Sequence, residues 1–327
     1  MKEKVAKTLK YSFWAVLAIV LLYFCFRGID WAELWDVLKR CRWAFVIAAM
    51  LCGVASFIFR ALRWRLLLAA EEPATRRIDC YDGFTIGRMC DFVIPHVGEF
   101  VRCGYVTKGR LTYDKALGTV VLERAWDILM LFLLIAALLV CRWAEFGGFF
   151  IERILTPAAQ RLDISLWWLL AIIVAAIAAV VAIIFALRNK SRICRSVADF
   201  CKGIAQGFSS CIRMPRKGLF FVLTVLLWLM FLLMSWFIIK AIPDDLGLTL
   251  VDALFIMLVG SVAGIVPVPG GFGAFHYLVA IALQTIYGIP FETGIIFATL
   301  SHESQAVTMA LCGAASYFHQ TFIKTKK

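Results

Sequence analysis

Glu99 and Arg102 stand one helical turn apart in "VGEFVR", and Glu123, Arg124 and Asp127 follow in "LERAWD". Both sets lie in or beside strongly apolar sequence, where an ionised side chain is costly unless it is paired or put to use. Glu123 and Asp127, at i and i+4, share a helix face, with Arg124 beside them. Two readings fit these residues. In one, Glu99–Arg124 and Arg102–Asp127 pairs lock successive helices together. In the other, Arg102 or Arg124 is released to hold an anionic headgroup, a task suited to a planar fork that stays charged. Both hold together in a site that exchanges internal partners for substrate.

A second set lies near the C-terminus. "VPVPGGFGAFH" places Pro267, Pro269, Gly270, Gly271 and Gly273 just before His276, and "SHES" places His302 and Glu303 in a later apolar run. Histidine in such a place is a helix–helix contact or a proton carrier. Glu303 is the stronger candidate, because a carboxylate there needs a partner or a proton. The spacing shows no H-E-x-x-H and no third ligand, so no metal is expected. No nucleophile or base constellation is visible, so no catalytic residue, no cofactor and no enzyme activity are expected. The eleven cysteines include no C-x-x-C pair and fall mostly in apolar runs. They read as small hydrophobes rather than as a disulfide framework.

These residues need a frame, and composition says which. The chain is 62% hydrophobic, too apolar for a soluble globule and apt for an integral membrane protein. The formal net charge of +12 sits mainly between apolar runs, as topology and anionic headgroups require, which argues against nucleic acid as a partner. At about 20 residues per span, the spans are 11–27, 43–65, 116–140, 165–187, 218–240 and 291–317. The first follows four lysines and lacks a cleavage site, so it reads as a retained span. Arg60, Arg63 and Arg65, at the end of the second, are expected to snorkel to headgroups, with Arg60 deepest. Residues 191–213 read as a cytoplasmic interfacial helix.

Two apolar stretches, 80–106 and 250–287, are broken near their middles by Pro and Gly. Neither half of the first is long enough to cross a ~30 Å hydrocarbon core. Basic segments at the N-terminus, 60–77, 108–115, 188–217 and the tail mark the cytoplasmic side; 141–163 and 241–252 mark the outside. That pattern works only if both broken stretches are re-entrant hairpins, with both termini cytoplasmic. "VIPHVGEFVRCGYV" also aligns without gaps on "IVPVPGGFGAFHYL": Pro95, Gly98, Phe100 and Tyr105 match Pro267, Gly270, Phe272 and Tyr277. The expected fold is therefore one all-α polytopic membrane domain over 1–327, six transmembrane helices plus two re-entrant helical hairpins. Units of about 43–140 and 218–317 form an inverted repeat, joined by a linker span and interfacial helix at 165–213.

"IPHVGEFVR", then "LERAWD", then a late "VPVPGGFG" together resemble the lysylphosphatidylglycerol synthase transmembrane-region family, the flippase half of multiple peptide resistance factor proteins. The resemblance covers nearly the whole chain. It implies a multi-pass protein of the bacterial inner membrane that moves a phospholipid, or a lipid-linked headgroup, between leaflets. By match it carries over Glu99, Arg102, Glu123 and Arg124, with Pro267, Pro269, Gly270, Gly271 and Gly273. His96 and His276 depart from residues expected there, and no acyltransferase domain follows Lys327, which implies that the chain does not make an aminoacylated lipid itself and handles a different headgroup, or one modified by a separate enzyme as partner. Candidate substrate-binding residues are thus Glu99, Arg102, Glu123, Arg124, Asp127, His276 and Glu303. Pro95, Gly98 and the second-loop prolines and glycines form the structural loops. A homo-oligomer is left open. The competing functions are a secondary transporter of a small anion and a non-transporting scaffold.

Overall fold

The computed structural model describes residues 31–70, 72–92, 94–107, 111–149, 216–243, 246–264 and 271–323. The expected spans at 11–27 and 165–187, the interfacial helix at 191–213, and Pro267, Pro269 and Gly270 lie outside them. Every regular element among the described residues is helical. In chain order these are α1 Trp31–Arg40, α2 Trp43–Leu68, α3 Arg77–Cys90, α4 Gly98–Val106, α5 Tyr113–Cys141 and α6 Trp143–Phe149. Then come α7 Lys217–Ala241, α8 Leu250–Ala263, α9 Ala274–Tyr287 and α10 Phe291–Phe318, closed by a π-helical turn, His319–Ile323.

Three of these helices are long and apolar enough to cross a membrane: α2, α5 and α7. The protein is thus a multi-pass membrane protein. Helix α10, expected to span, has the length for it: 28 residues reach about 42 Å at 1.5 Å each. It is not among the three because Ser301, His302, Glu303, Ser304 and Thr308 interrupt its apolar sequence. The two broken stretches fold as pairs of short helices. Helices α8 and α9 have 14 residues each, about 21 Å, well short of a hydrocarbon core.

The chain divides into two compact units, one of residues 1–117 with 216–327, the other of 118–215. In the first unit, α2 packs along α7, and Arg42 N–H donates to the Ala241 carbonyl at 2.9 Å where the two helices adjoin. The pairing then runs in parallel: α2 packs on α3 as α7 packs on α8, and α3 pairs with α4 as α8 pairs with α9. Helix α10 lies against α9 and also against α3. The second unit is described over 118–149, the rest of α5 and α6.

Local chemistry fixes each hairpin. At the base of the second, the Thr249 N–H and hydroxyl both donate to Asp252 Oδ2 at 2.7 Å, a cap that starts α8. The Tyr287 hydroxyl, at the end of α9, donates to the other oxygen of Asp252 at 2.8 Å. In the first hairpin, α3 and α4 meet at two glycines. A Cβ on Gly98 would lie 2.1 Å from the Gly87 carbonyl oxygen, and one on Gly87 would lie 2.6 Å from the Gly98 oxygen. Only residues without a side chain allow this approach.

Candidate functional site

The first break, residues 91–97, is organised by Asp91. Its Oδ1 accepts the Gly98 N–H at 2.7 Å, satisfying a donor at the start of α4. Its Oδ2 pairs with Arg88 at 3.1 Å. Pro95 sits in the turn, and His96 adopts φ 59°, a left-handed conformation in which histidine is enriched. Neither Arg88 nor Asp91 stood out from spacing alone.

One turn into α4, Glu99 Oε2 meets Arg102 at 2.7 Å. The Arg102 side chain is 1% exposed, and its guanidinium lies 4.6 Å from the ring centre of Trp64 on α2 and 5.8 Å from Phe84 on α3. Cation and aromatic face thus compensate for lost water. Arg60 lies 5.7 Å from the Phe84 ring, and Arg63 5.8 Å from Phe220 of α7. Both arginines are buried, so they do not snorkel as expected. The helices packed around the end of α2 enclose them, and Arg65 donates to the Thr75 carbonyl at 3.0 Å. In the second unit, Arg124 pairs with Asp127 at 3.8 Å and Glu123 is fully buried.

The second break brings together residues that sequence spacing leaves apart. His276 on α9 and His302 and Glu303 on α10 place their ligating atoms within 4.8 Å of one another. Glu303 Oε1 lies 3.2 Å from His302 Nδ1 and 3.8 Å from His276 Nε2. Glu303 therefore has the partners its position demands. Phe272 and Phe275 collar the imidazoles: the Phe272 ring centre is 4.8 Å from that of His302, and Phe275 is 5.4 Å away. Gly271 and Gly273 both take positive φ, 78° and 85°, so the loop turns into α9 through conformations that L side chains disfavour. A Cβ on Gly271 would touch His302 Nε2 at 3.5 Å.

The two breaks adjoin: the Phe92 ring of the first lies 6.4 Å from that of Phe272 in the second. Phe100, which the gapless alignment sets against Phe272, is exposed instead. A further set of polar contacts, around buried Asp82, joins the hairpin to the end of α10. Asp82 accepts from His319 at 2.6 Å and from the Gln320 amide at 2.5 Å, while Thr85 donates to Ser316 at 2.8 Å. Asp82 was detectable as an ionisable residue inside 80–106; its partner, 237 positions away, was not.

The model of the family described as lysylphosphatidylglycerol synthase TM region matches residues 13–313. The chain belongs to this family. Membership makes it a lipid-related membrane protein. No curated protein and no solved structure matches the chain.

Proposed function

We propose that this family member moves an anionic or modified phospholipid between the leaflets of a bacterial inner membrane, with both termini cytoplasmic. The observation that supports this most is the contact of the two hairpin breaks through Phe92 and Phe272. The first hairpin carries the Glu99–Arg102 pair, and the second break carries His276, beside Phe272, with Glu303 next to it. Two re-entrant hairpins from oppositely oriented units would meet in this way, and the parallel pairing of α2–α3–α4 and α7–α8–α9 agrees with such a repeat. Irregular backbone is tolerated at membrane depth where it lines a protein cavity. In this reading a headgroup passes the polar groups between the hairpins while its acyl tails stay in the bilayer.

The chain is then a transporter and not an enzyme, and a separate enzyme supplies any modified headgroup. Purified protein in liposomes, assayed for translocation of headgroup-labelled lipids over a panel of anionic, zwitterionic and aminoacylated species, tests the reading. Faster translocation of at least one species than in protein-free vesicles is expected. Translocation of none, with soluble anions crossing instead, would favour the small-anion transporter. Movement of neither would favour a scaffold.

A further inference from the structure

We propose that His276, His302 and Glu303 form a binding site for a divalent transition-metal ion of the zinc class. The argument begins with geometry. Ligand atoms about 2.0–2.2 Å from a tetrahedral zinc ion lie about 3.4 Å from one another. Two of the separations here, 3.2 Å from His302 Nδ1 to Glu303 Oε1 and 3.8 Å from His276 Nε2 to the same oxygen, bracket that value, and all three ligating atoms lie within 4.8 Å of one another, so a small shift of the His276 and His302 rings completes the set. Residues adjacent on a helix diverge by about 100°, yet His302 and Glu303 turn their polar atoms toward each other, facing His276 on a different helix. Donor chemistry agrees. Two imidazoles and a carboxylate are ligands for zinc and its neighbours, and the set leaves a coordination position for water or an anionic oxygen.

The surroundings supply a second reason. No lysine or arginine occurs between Lys240 and Lys324, so α8, α9 and α10 bring no fixed cation to the Glu303 carboxylate. A divalent ion on two neutral imidazoles and one carboxylate would leave a net positive charge beside the glycine loop. The Phe272 and Phe275 rings form the apolar shell that strengthens such a centre. Access does not require unfolding, because the Glu303 side chain is 41% exposed while His276 is fully buried. Neither spacing nor any local motif signals this set, since its two histidines are held together only by the packing of α9 on α10.

The site is tested apart from transport, on chelator-treated protein in detergent, by calorimetric titration with Zn2+ and by the visible absorption of added Co2+. One equivalent of Zn2+ per chain, and a Co2+ spectrum of low-symmetry coordination, are expected. Loss of a direct ligand should exceed the 10–100-fold typical of a supporting residue, so His302→Ala and Glu303→Gln should each weaken binding by more than about 100-fold. Cys141→Ser and His319→Gln, which remove an exposed thiol and a histidine elsewhere, should leave it unchanged. Zn2+ should also raise the melting temperature of the native protein and not that of Glu303→Gln. Absence of a stoichiometric site in the native protein overturns the proposal, as does binding that survives both ligand substitutions. Should His302→Ala fail to fold, the near-isosteric Glu303→Gln and the native Co2+ spectrum decide.

Discussion

Replacing Gly98 with alanine should damage the fold far more than its single methyl group implies. Its Cβ would stand 2.1 Å from the Gly87 carbonyl oxygen and 2.8 Å from Asp91 Oδ1. Ordinary contact needs about 3.5 Å, so α3 and α4 must separate by more than about 1 Å. Overpacking of this kind costs about 1–3 kcal/mol. The charge-assisted bond from Gly98 N–H to Asp91, now 2.7 Å, would also be lost, at about 1.5–3 kcal/mol. Together these make roughly 2.5–6 kcal/mol, a large part of a typical stability. The control lies on the same helix: a Cβ on Gly104 would meet nothing within 4 Å, so Gly104→Ala should be neutral or gain up to about 1 kcal/mol of helix propensity. Melting in detergent, followed by intrinsic fluorescence, separates the two. Gly98→Ala should melt roughly 4–9 °C below the native protein, and Gly104→Ala at or above it. A Gly98→Ala protein that melts with the native one would refute the close-approach argument.

Three further substitutions probe other parts of the account. Arg102→Ala removes the 2.7 Å ion pair with Glu99 and empties the space against Trp64; it should cost roughly 3–5 kcal/mol, and unchanged melting would contradict this. Tyr287→Phe removes the 2.8 Å bond to Asp252 and should cost about 1–3 kcal/mol, read as a lower melting temperature with helix content preserved. Gly271→Leu places a side chain at φ 78° against His302; lipid translocation per folded molecule should fall at least tenfold, and activity lost only in proportion to folded protein would remove the loop from the transport path.

Much of the frame was legible because its signals are local. Pro95 with Gly98, and the run from Pro267 to Gly273, break apolar sequence too short to cross twice, and the structure has paired short helices on either side of each break. The roles inside that frame were less legible. Sequence treats Gly98 as a loop glycine like Gly270, whereas it begins α4 and faces Gly87, a contact set by how two helices cross. Glu303 reads as a lone carboxylate until α10 packs on α9 and brings it His276. Asp82 and His319 likewise meet only through tertiary packing. Arg60 and Arg63 sit at a helix end, which predicts snorkelling, but neighbouring helices cover that end and keep them buried.

The central claim, that a headgroup passes between the two hairpins, requires their breaks, in contact at Phe92 and Phe272, to separate. Its most direct test replaces both phenylalanines with cysteine in an otherwise cysteine-free chain, joins them with a short thiol-cleavable linker, and measures translocation of labelled phospholipid in liposomes. The account predicts that the linked protein is inactive and that cleavage of the linker restores the rate of the unlinked protein. Equal translocation by linked and unlinked protein would contradict it.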